Sequence, residues 1–287
     1  MKISIIVPFY RAGKYIEDCI QALLTQDFPS DLYEIIMVNN NSPDQSAEIV
    51  KRYPRIRLLS QSRQGSYAAR NLGIAEATGD IIAFTDSDCV PAVDWLRNIS
   101  KAMLQPHVGI VLGIREFPVH STSLTLLSCY VRVKDAYMLS SHDKDLFFGY
   151  TNNMAVKKPL LEELGPFMEL SRGADTIFVR QAVDAYGCNL IHYTPDVRVR
   201  HMEMTGVFRF YQKTFTYGWS NRHNQRYVSF RPLTYTEKFH IFIKTVKRHQ
   251  FTILQSVYLL FLLLIGDFCQ KFGRGRAVLS PNSPVPG

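Results

Sequence analysis

Short apolar strand-like runs alternate with helix-patterned segments through the first hundred residues, and this alternation constrains the fold more than any other feature of the chain. Ile3–Val7 is a β-branched apolar run and reads as a buried strand. Lys14–Thr25 carries Tyr15, Ile16, Cys19, Ile20, Leu23 and Leu24 at helical spacing. Glu34–Val38 and Ile56–Leu59 read as the second and third strands. Between them lie the turn cluster Asn39–Asp44 and a helix that this cluster can cap, running through Val50. Gly65–Ala77 is an Ala-rich helix stopped by Gly79, Asp80–Thr85 a fourth strand, and Val93–Leu104 a further helix. Strands and helices at this pitch predict a parallel sheet with helices on both faces. In such sheets ligands bind beyond the carboxyl ends of the strands. Pro8-Phe9-Tyr10, Asn39–Asn41 and Asp86-Ser87-Asp88 sit at three of those ends, so they are expected to converge in space.

Beyond Pro106 the pattern loosens. Val108–Ile114 reads as a strand, and Leu146–Tyr150 and Asn153–Val156 as short strands around a polar bend. Pro159–Leu164 is a short helix stopped by Gly165-Pro166, and Ala174–Tyr186 an amphipathic helix ending at Gly187. There is no internal repeat, and Glu116–Phe147 carries no readable chemistry.

The chain has 287 residues, 46% of them hydrophobic, enough for one α/β domain with additions. Its five cysteines, Cys19, Cys89, Cys129, Cys188 and Cys269, are scattered and odd in number. They argue against a disulfide scaffold or a zinc cluster and suit a reducing cytosol. The N-terminal apolar run is too short for a signal peptide and ends in Pro8. The net charge of +8 fits nucleic acid, an anionic membrane or an anionic substrate. The basic residues concentrate late in the chain, interleaved with aromatics but without a recognised nucleic-acid motif, so nucleic acid is not expected as a partner.

Asp86-Ser87-Asp88 is the sharpest chemical signal. Two carboxylates one residue apart at a strand end form a hard-oxygen site for Mg²⁺ or Mn²⁺, able to neutralise charge on a departing diphosphate. An isolated pair would read as a solvated acidic turn; its place after a buried strand favours the metal. Asp175, at the start of the Ala174–Tyr186 helix, suits either a general base for a hydroxyl or a charge favoured by the helix dipole. Arg70, beside Asn71 on the Gly65–Ala77 helix, reads as a nucleotide contact or as part of a solvated face. His201 reads as a metal ligand or as a satisfied buried histidine.

Taken in order, several segments resemble family 2 glycosyltransferases of the GT-A fold. These are Ser4–Tyr10, Val38–Asp44 (VNNNSPD), Gly65–Gly79 (GSYAARNLGIAEATG), Ala83–Cys89 (AFTDSDC) with Trp95-Leu96, Asn153–Lys157 (NMAVK) and Gly173–Arg180 (GADTIFVR). The resemblance covers most of residues 3–220. It implies an α/β fold of GT-A type: a Rossmann-like, mostly parallel sheet with helices on both faces, plus C-terminal helices. By this likeness Pro8 and Tyr10 pack on the donor base and ribose, Asn39 and Asn40 bond the base, and Arg70 lies near it. Asp86 lies near ribose and metal, Asp88 is the main metal ligand, and His201 completes the metal site. Asn153 and Met154 belong to a donor or acceptor loop, and Asp175 is the catalytic base. Two features depart from the family pattern. Asn39-Asn40 stands where aspartate is usual, which leaves the nucleotide open. Ala174 stands where glutamate is commoner, leaving that residue's acceptor-orienting role vacant or moved to Glu169.

The organisation expected from these readings has a nucleotide-sugar-binding half over 1–105 and an acceptor-binding half over 106–232. A basic, apolar helical extension that associates with the membrane covers 233–277, and a disordered tail 278–287. Gln250–Gly266 contains no charge and includes nine consecutive apolar residues, Val257–Ile265. It is short for a bilayer span, and basic residues flank it on both sides: Lys244, Lys247 and Arg248 before, Lys271, Arg274 and Arg276 after. A helix lying in the cytoplasmic membrane interface, or re-entrant, is expected; packing on the catalytic domain or a partner subunit is the alternative. The function expected is metal-dependent, inverting transfer of a sugar from a nucleotide-diphosphate sugar to a hydroxyl of a glycan or lipid-linked acceptor, in cell-surface polysaccharide or glycolipid synthesis. The alternative is a non-catalytic nucleotide-sugar-binding module at the membrane.

Overall fold

The computed structural model describes residues 1–118 and 121–279. Along the chain run β1 (Ile3–Phe9), α1 (Ile16–Leu24), β2 (Tyr33–Asn39), α2 (Ser46–Lys51), β3 (Ile56–Ser60), α3 (Ser66–Glu76), β4 (Ile81–Thr85), β5 (Cys89–Pro91) and α4 (Trp95–Met103). Then follow β6 (Ile110–Glu116), α5 (Thr122–Leu139), β7 (Asn153–Lys157), α6 (Lys158–Leu164), α7 (Ala174–Tyr186), β8 (Ile191–His201), α8 (Val207–Asn224), α9 (Tyr235–His249) and α10 (Ile253–Leu279). By packing these form two units: Met1–Glu116 with Phe148–Glu203, and Phe117–Phe147 with the residues from Met204 onward.

The first unit is built on an eight-stranded sheet of order β3-β2-β1-β4-β7-β6-β8-β5. The β1–β2, β2–β3, β1–β4 and β6–β8 ladders are parallel; β4–β7, β6–β7 and β5–β8 are antiparallel. The sheet is therefore more mixed than a Rossmann reading suggests, although the α/β architecture holds. Strand β1 is buried along all seven residues, as a β-branched run flanked on both sides requires. Gly73 lets α3 lie against it, since a Cβ there would stand 2.6 Å from Ile6 Cγ2. One amide side chain ties the sheet together. Asn153, fully buried at the start of β7, accepts from Trp95 Nε1 (2.8 Å) and donates to Ile114 O (2.8 Å) and Val197 O (3.1 Å).

Two expectations change. Leu146–Tyr150 is not a strand: a 3-10 turn covers Lys144–Leu146, and the pairing begins at Asn153, where β7 meets β4 and β6. The segment 106–232 also does not pack as one half. Strands β6, β7 and β8 hydrogen-bond into the first unit's sheet, whereas α5 and α8 cluster with α9 and α10. In the second unit α8 and α10 approach through glycine: Cβ atoms at Gly218 and Gly273 would stand 2.1 Å from Gln270 O and Phe215 O. Helix α9 opens with a capping box between Thr234 and Glu237, and Glu237 also receives a two-pronged ion pair from Arg231 (2.9 and 2.8 Å). Helix α10 continues well past Gly266. Its Ile253–Ala277 stretch, 25 residues containing an 18-residue window of mean hydropathy 1.7, is long and apolar enough by length and composition to cross a membrane. Of the tail expected over 278–287, residues 278 and 279 instead close α10, and 280–287 lie outside the described residues.

Candidate active site

The parallel half of the sheet delivers its polar residues to one edge, as the strand order requires. Phe9 at the end of β1 pairs in register with Asn39 at the end of β2, and Asn40 N donates to Phe9 O (3.0 Å). Pro8 is buried within β1, while Tyr10 just beyond it is 44% exposed, with the Arg11 guanidinium 5.3 Å from its ring centre. Asn39 accepts the Ser42 N–H through Oδ1 (2.9 Å). Its neighbour is committed differently: Asn40 is buried, donates to Arg63 O (2.7 Å) and Gln61 O (3.3 Å), and accepts Gly65 N–H (2.7 Å). The Asn40 amide thus fixes the loop ahead of α3. Asp44 organises the same corner. Burial opposes its ionisation, but hydrogen bonds from Ser42, Ser46 and the Gly13 and Ser46 amides hold its carboxyl far below the usual range.

Two carboxylate systems follow. At the turn after β4, Asp88 Oδ2 lies 2.9 Å from His201 Nε2, which the end of β8 supplies. Asp88, His201 and Cys89 place their ligand atoms within 4.8 Å of one another. The hard carboxylate there suits Mg²⁺ or Mn²⁺, and the softer imidazole beside it favours Mn²⁺ of the two. Cys89 is an addition that sequence reasoning passed over. Its thiol lies in the apolar core, and burial together with Asp88 and Asp86 pushes its pKa well up, so it stays protonated and offers a poor ligand for such ions.

Asp86 turns the other way. Its Oδ1 takes an ion pair from Arg70, whose side chain is 5% exposed. Arg70 is therefore no solvated helix residue: its guanidinium is held inside the protein on Asp86 and 5.4 Å from the Tyr67 ring centre. Tyr67, one turn earlier on α3, accepts Gly173 N–H (3.1 Å) and donates to the Asp175 carboxylate. Asp175 also accepts the Thr151 (3.1 Å) and Thr176 (2.8 Å) amides at the start of α7. Burial raises the Asp175 pKa above that of an ordinary aspartate, while the Arg70 charge and these hydrogen bonds pull it back. One face of α3 thus links Asp86 to Asp175 through Arg70 and Tyr67. Sequence spacing does offer a signal for this link, since Tyr67 and Arg70 are three residues apart on one helix face.

Three expected residues lie outside this arrangement. Asn153 spends its amide on Trp95, Ile114 and Val197. Met154 is buried in β7, paired with Phe84 and Leu112. Glu169 ion-pairs with Arg63 (2.6 Å).

A family model described as glycosyl transferase family 2 matches residues 4–165. The glycosyltransferase AglE of Haloferax volcanii is 31% identical over 199 residues, 66% of this chain and 64% of AglE. The poly(ribitol-phosphate) β-N-acetylglucosaminyltransferase TarS of Staphylococcus aureus is 31% identical over 117 residues, 39% of this chain and 20% of TarS. The chain thus spans under two thirds of the length of either relative. Among solved structures, the mannosyltransferase PcManGT of Pyrobaculum calidifontis, in complex with GDP-Man and Mn²⁺, matches at a TM-score of 0.64 and 21% identity. That match covers 99% of this chain and 76% of PcManGT. TarS 1-349 in complex with UDP matches at 0.57 and 22% identity, covering 88% and 73%. These likenesses carry the GT-A architecture, and the family match spans β1 to the end of α6. On this match and this sheet, the chain belongs to glycosyl transferase family 2.

Proposed function

We propose that this protein is a metal-dependent, inverting glycosyltransferase that moves a sugar from a nucleotide-diphosphate sugar to a hydroxyl of a glycan or lipid-linked acceptor. The reading places it in cell-surface polysaccharide or glycolipid synthesis, at the cytoplasmic face of the cell membrane. One observation carries it: the Asp88–His201 pair and the buried, weakly acidic Asp175 belong to one sheet edge, with Asp86, Arg70 and Tyr67 between them. GT-A neighbours whose complexes contain GDP-Man, UDP-GlcNAc or UDP-Glc support the donor class, and Mn²⁺ in two of those complexes supports the metal.

In this reading Tyr10 offers its exposed ring to the donor base, and Asn39 offers its Nδ2. Asp86 keeps one carboxylate oxygen for the ribose while Arg70 holds the other. Asp88 and His201 would hold Mg²⁺ or Mn²⁺, which when bound neutralises charge on the diphosphate. Asp175 takes the proton of the acceptor hydroxyl as that oxygen attacks the anomeric carbon from the side opposite the leaving group. The bond from the anomeric carbon to the diphosphate oxygen breaks, and the nucleotide diphosphate leaves with the electron pair. A general base of this kind contributes roughly 10²–10⁴ in rate. A carboxylate made more basic by burial suits turnover better than a module that only binds nucleotide sugars. The test is a panel of nucleotide sugars, each with and without Mn²⁺, read as thermal stabilisation. A cognate donor at about 100 times its Kd adds about 2.7 kcal/mol. No metal-dependent stabilisation by any nucleotide sugar would overturn the reading.

A further inference from the structure

Helix α10 has two unlike faces. Ile253, Val257, Phe261, Leu264, Phe268 and Phe272 are all well exposed, from 58% at Phe261 to 86% at Ile253. At 3.6 residues per turn they fall within an arc of roughly 100° and extend for about 29 Å. The opposite arc is fastened to the second unit. Leu259 and Leu262 are buried, Tyr211 of α8 donates to Leu262 O (2.9 Å), and Gly218 and Gly273 bring α8 and α10 into backbone contact. An exposed apolar stripe this long marks an interaction surface.

Charge identifies the partner. The second unit carries 15 Lys and Arg against 5 Asp and Glu, a net +10, whereas the first carries 18 against 20, a net −2. All of the chain's positive excess therefore lies in the unit that bears the stripe. Lys244, Lys247 and Arg248 are exposed at the end of α9, and Lys271 and Arg276 on α10 itself. Tyr235, 74% exposed, has the Lys238 and Lys271 ammonium groups over its ring, an amphipathic tyrosine set beside lysines.

Two features weigh against α10 crossing the bilayer. Asp267, near its middle, is salt-bridged to Lys238 of α9 (2.5 Å) and to Lys271 (2.7 Å), so a span would carry these charges inward. Helix α8, held along α10, would follow with Arg209, Lys213 and Arg222.

We infer that α10 lies in the plane of an anionic bilayer surface, its exposed stripe among the upper acyl chains and the surrounding lysines and arginines on the headgroups. This deepens the membrane-facing part of the function above. It can fail while donor binding stands, because vesicle binding requires no turnover. Burial of the stripe and attraction of about 1 kcal/mol per basic residue near the surface act together. Binding should therefore weaken in high salt without vanishing.

The test uses the full chain with vesicles of phosphatidylcholine alone or mixed with phosphatidylglycerol. Flotation should show binding to the mixed vesicles, reduced but persistent in high salt. The double variant Phe261→Asp/Phe268→Asp should bind at least about tenfold more weakly, with unchanged circular dichroism and unchanged donor-induced thermal stabilisation. Single Trp substitutions at Val257 and Phe268, read against the unsubstituted chain with lipids brominated at different depths, should report one shallow depth. A depth gradient between the two positions would mean that α10 spans. Absence of vesicle binding, or a stable dimer that occludes the stripe in its place, would also overturn the inference.

Discussion

The most informative single substitution is Tyr67→Phe. Tyr67 is 5% exposed, and its hydroxyl donates to the Asp175 carboxylate while accepting Gly173 N–H at 3.1 Å. Gly173 precedes α7 in the left-handed region at φ 85°, so this contact fixes the turn that presents Asp175. Removing the hydroxyl deletes a hydrogen bond to a charged group, worth about 1.5–3 kcal/mol, and leaves a backbone donor short of a partner. The part of that energy that favours the ionised carboxylate appears as a pKa change at about 1.36 kcal/mol per unit. Burial has already raised the Asp175 pKa; losing a donor to the ionised form raises it further. A base must be ionised to act, so activity falls as pH drops through that pKa. The acid limb of kcat/KM should therefore move to higher pH by about one unit, with donor affinity unchanged. The assay is a pH–rate profile of both proteins beside calorimetric donor titration. An acid limb at the same pH with the same plateau would refute the link between Tyr67 and the base.

Asp88→Ala should abolish metal-dependent donor binding in calorimetry while leaving circular dichroism unchanged; unaltered metal-dependent affinity would remove Asp88 from the metal site. Glu237→Ala should destabilise the protein by about 1.5–3 kcal/mol at neutral pH, since it removes both the Arg231 fork and the capping box. Arg231 first, against a burial penalty, lowers the Glu237 pKa to about 2. This stability is present above the ordinary Glu pKa and is lost as pH falls toward 2, so the melting difference from wild type should close in acid. Gly113→Ala should lose at least about 1–3 kcal/mol in denaturant melts, because its Cβ would stand 2.1 Å from Val197 O and 2.4 Å from Asn153 Nδ2.

The strands and helices from β1 to α4 were legible because each carries its own period and its own stop signal, and their boundaries moved by only a residue or two. Strand β5 was not, since three residues, Cys89–Pro91, form a strand only by pairing with β8, more than a hundred positions later. Strand β8 itself hides behind Pro195 and the alternating charges of Asp196, Arg198 and Arg200, and its ladder with β6 shifts register between Gly113 and Ile114. Helix α5 buries Leu124, Leu127 and Tyr130 but also Asp135, so no clean apolar stripe announces it. Within the site, the meeting of Asp88 with His201 was legible only through the family resemblance, since an ionisable group at a strand or helix end also has structural uses. The amides of Asn40 and Asn153 meet protein groups that the sequence does not announce. An amide can satisfy buried backbone groups as readily as a ligand, and residue type does not reveal direction.

The central claim is that Asp175 removes the acceptor proton at a site where donor binding depends on other groups. Asp175→Asn tests it most directly, because the amide fills the same space and its oxygen can still accept the Thr151 or Thr176 N–H. With the cognate donor found by thermal stabilisation, the variant should bind that donor with wild-type affinity and turn over at least about 10² more slowly. A fall of only a few-fold with donor affinity intact would contradict the account and leave Asp175 as a charge at a helix terminus.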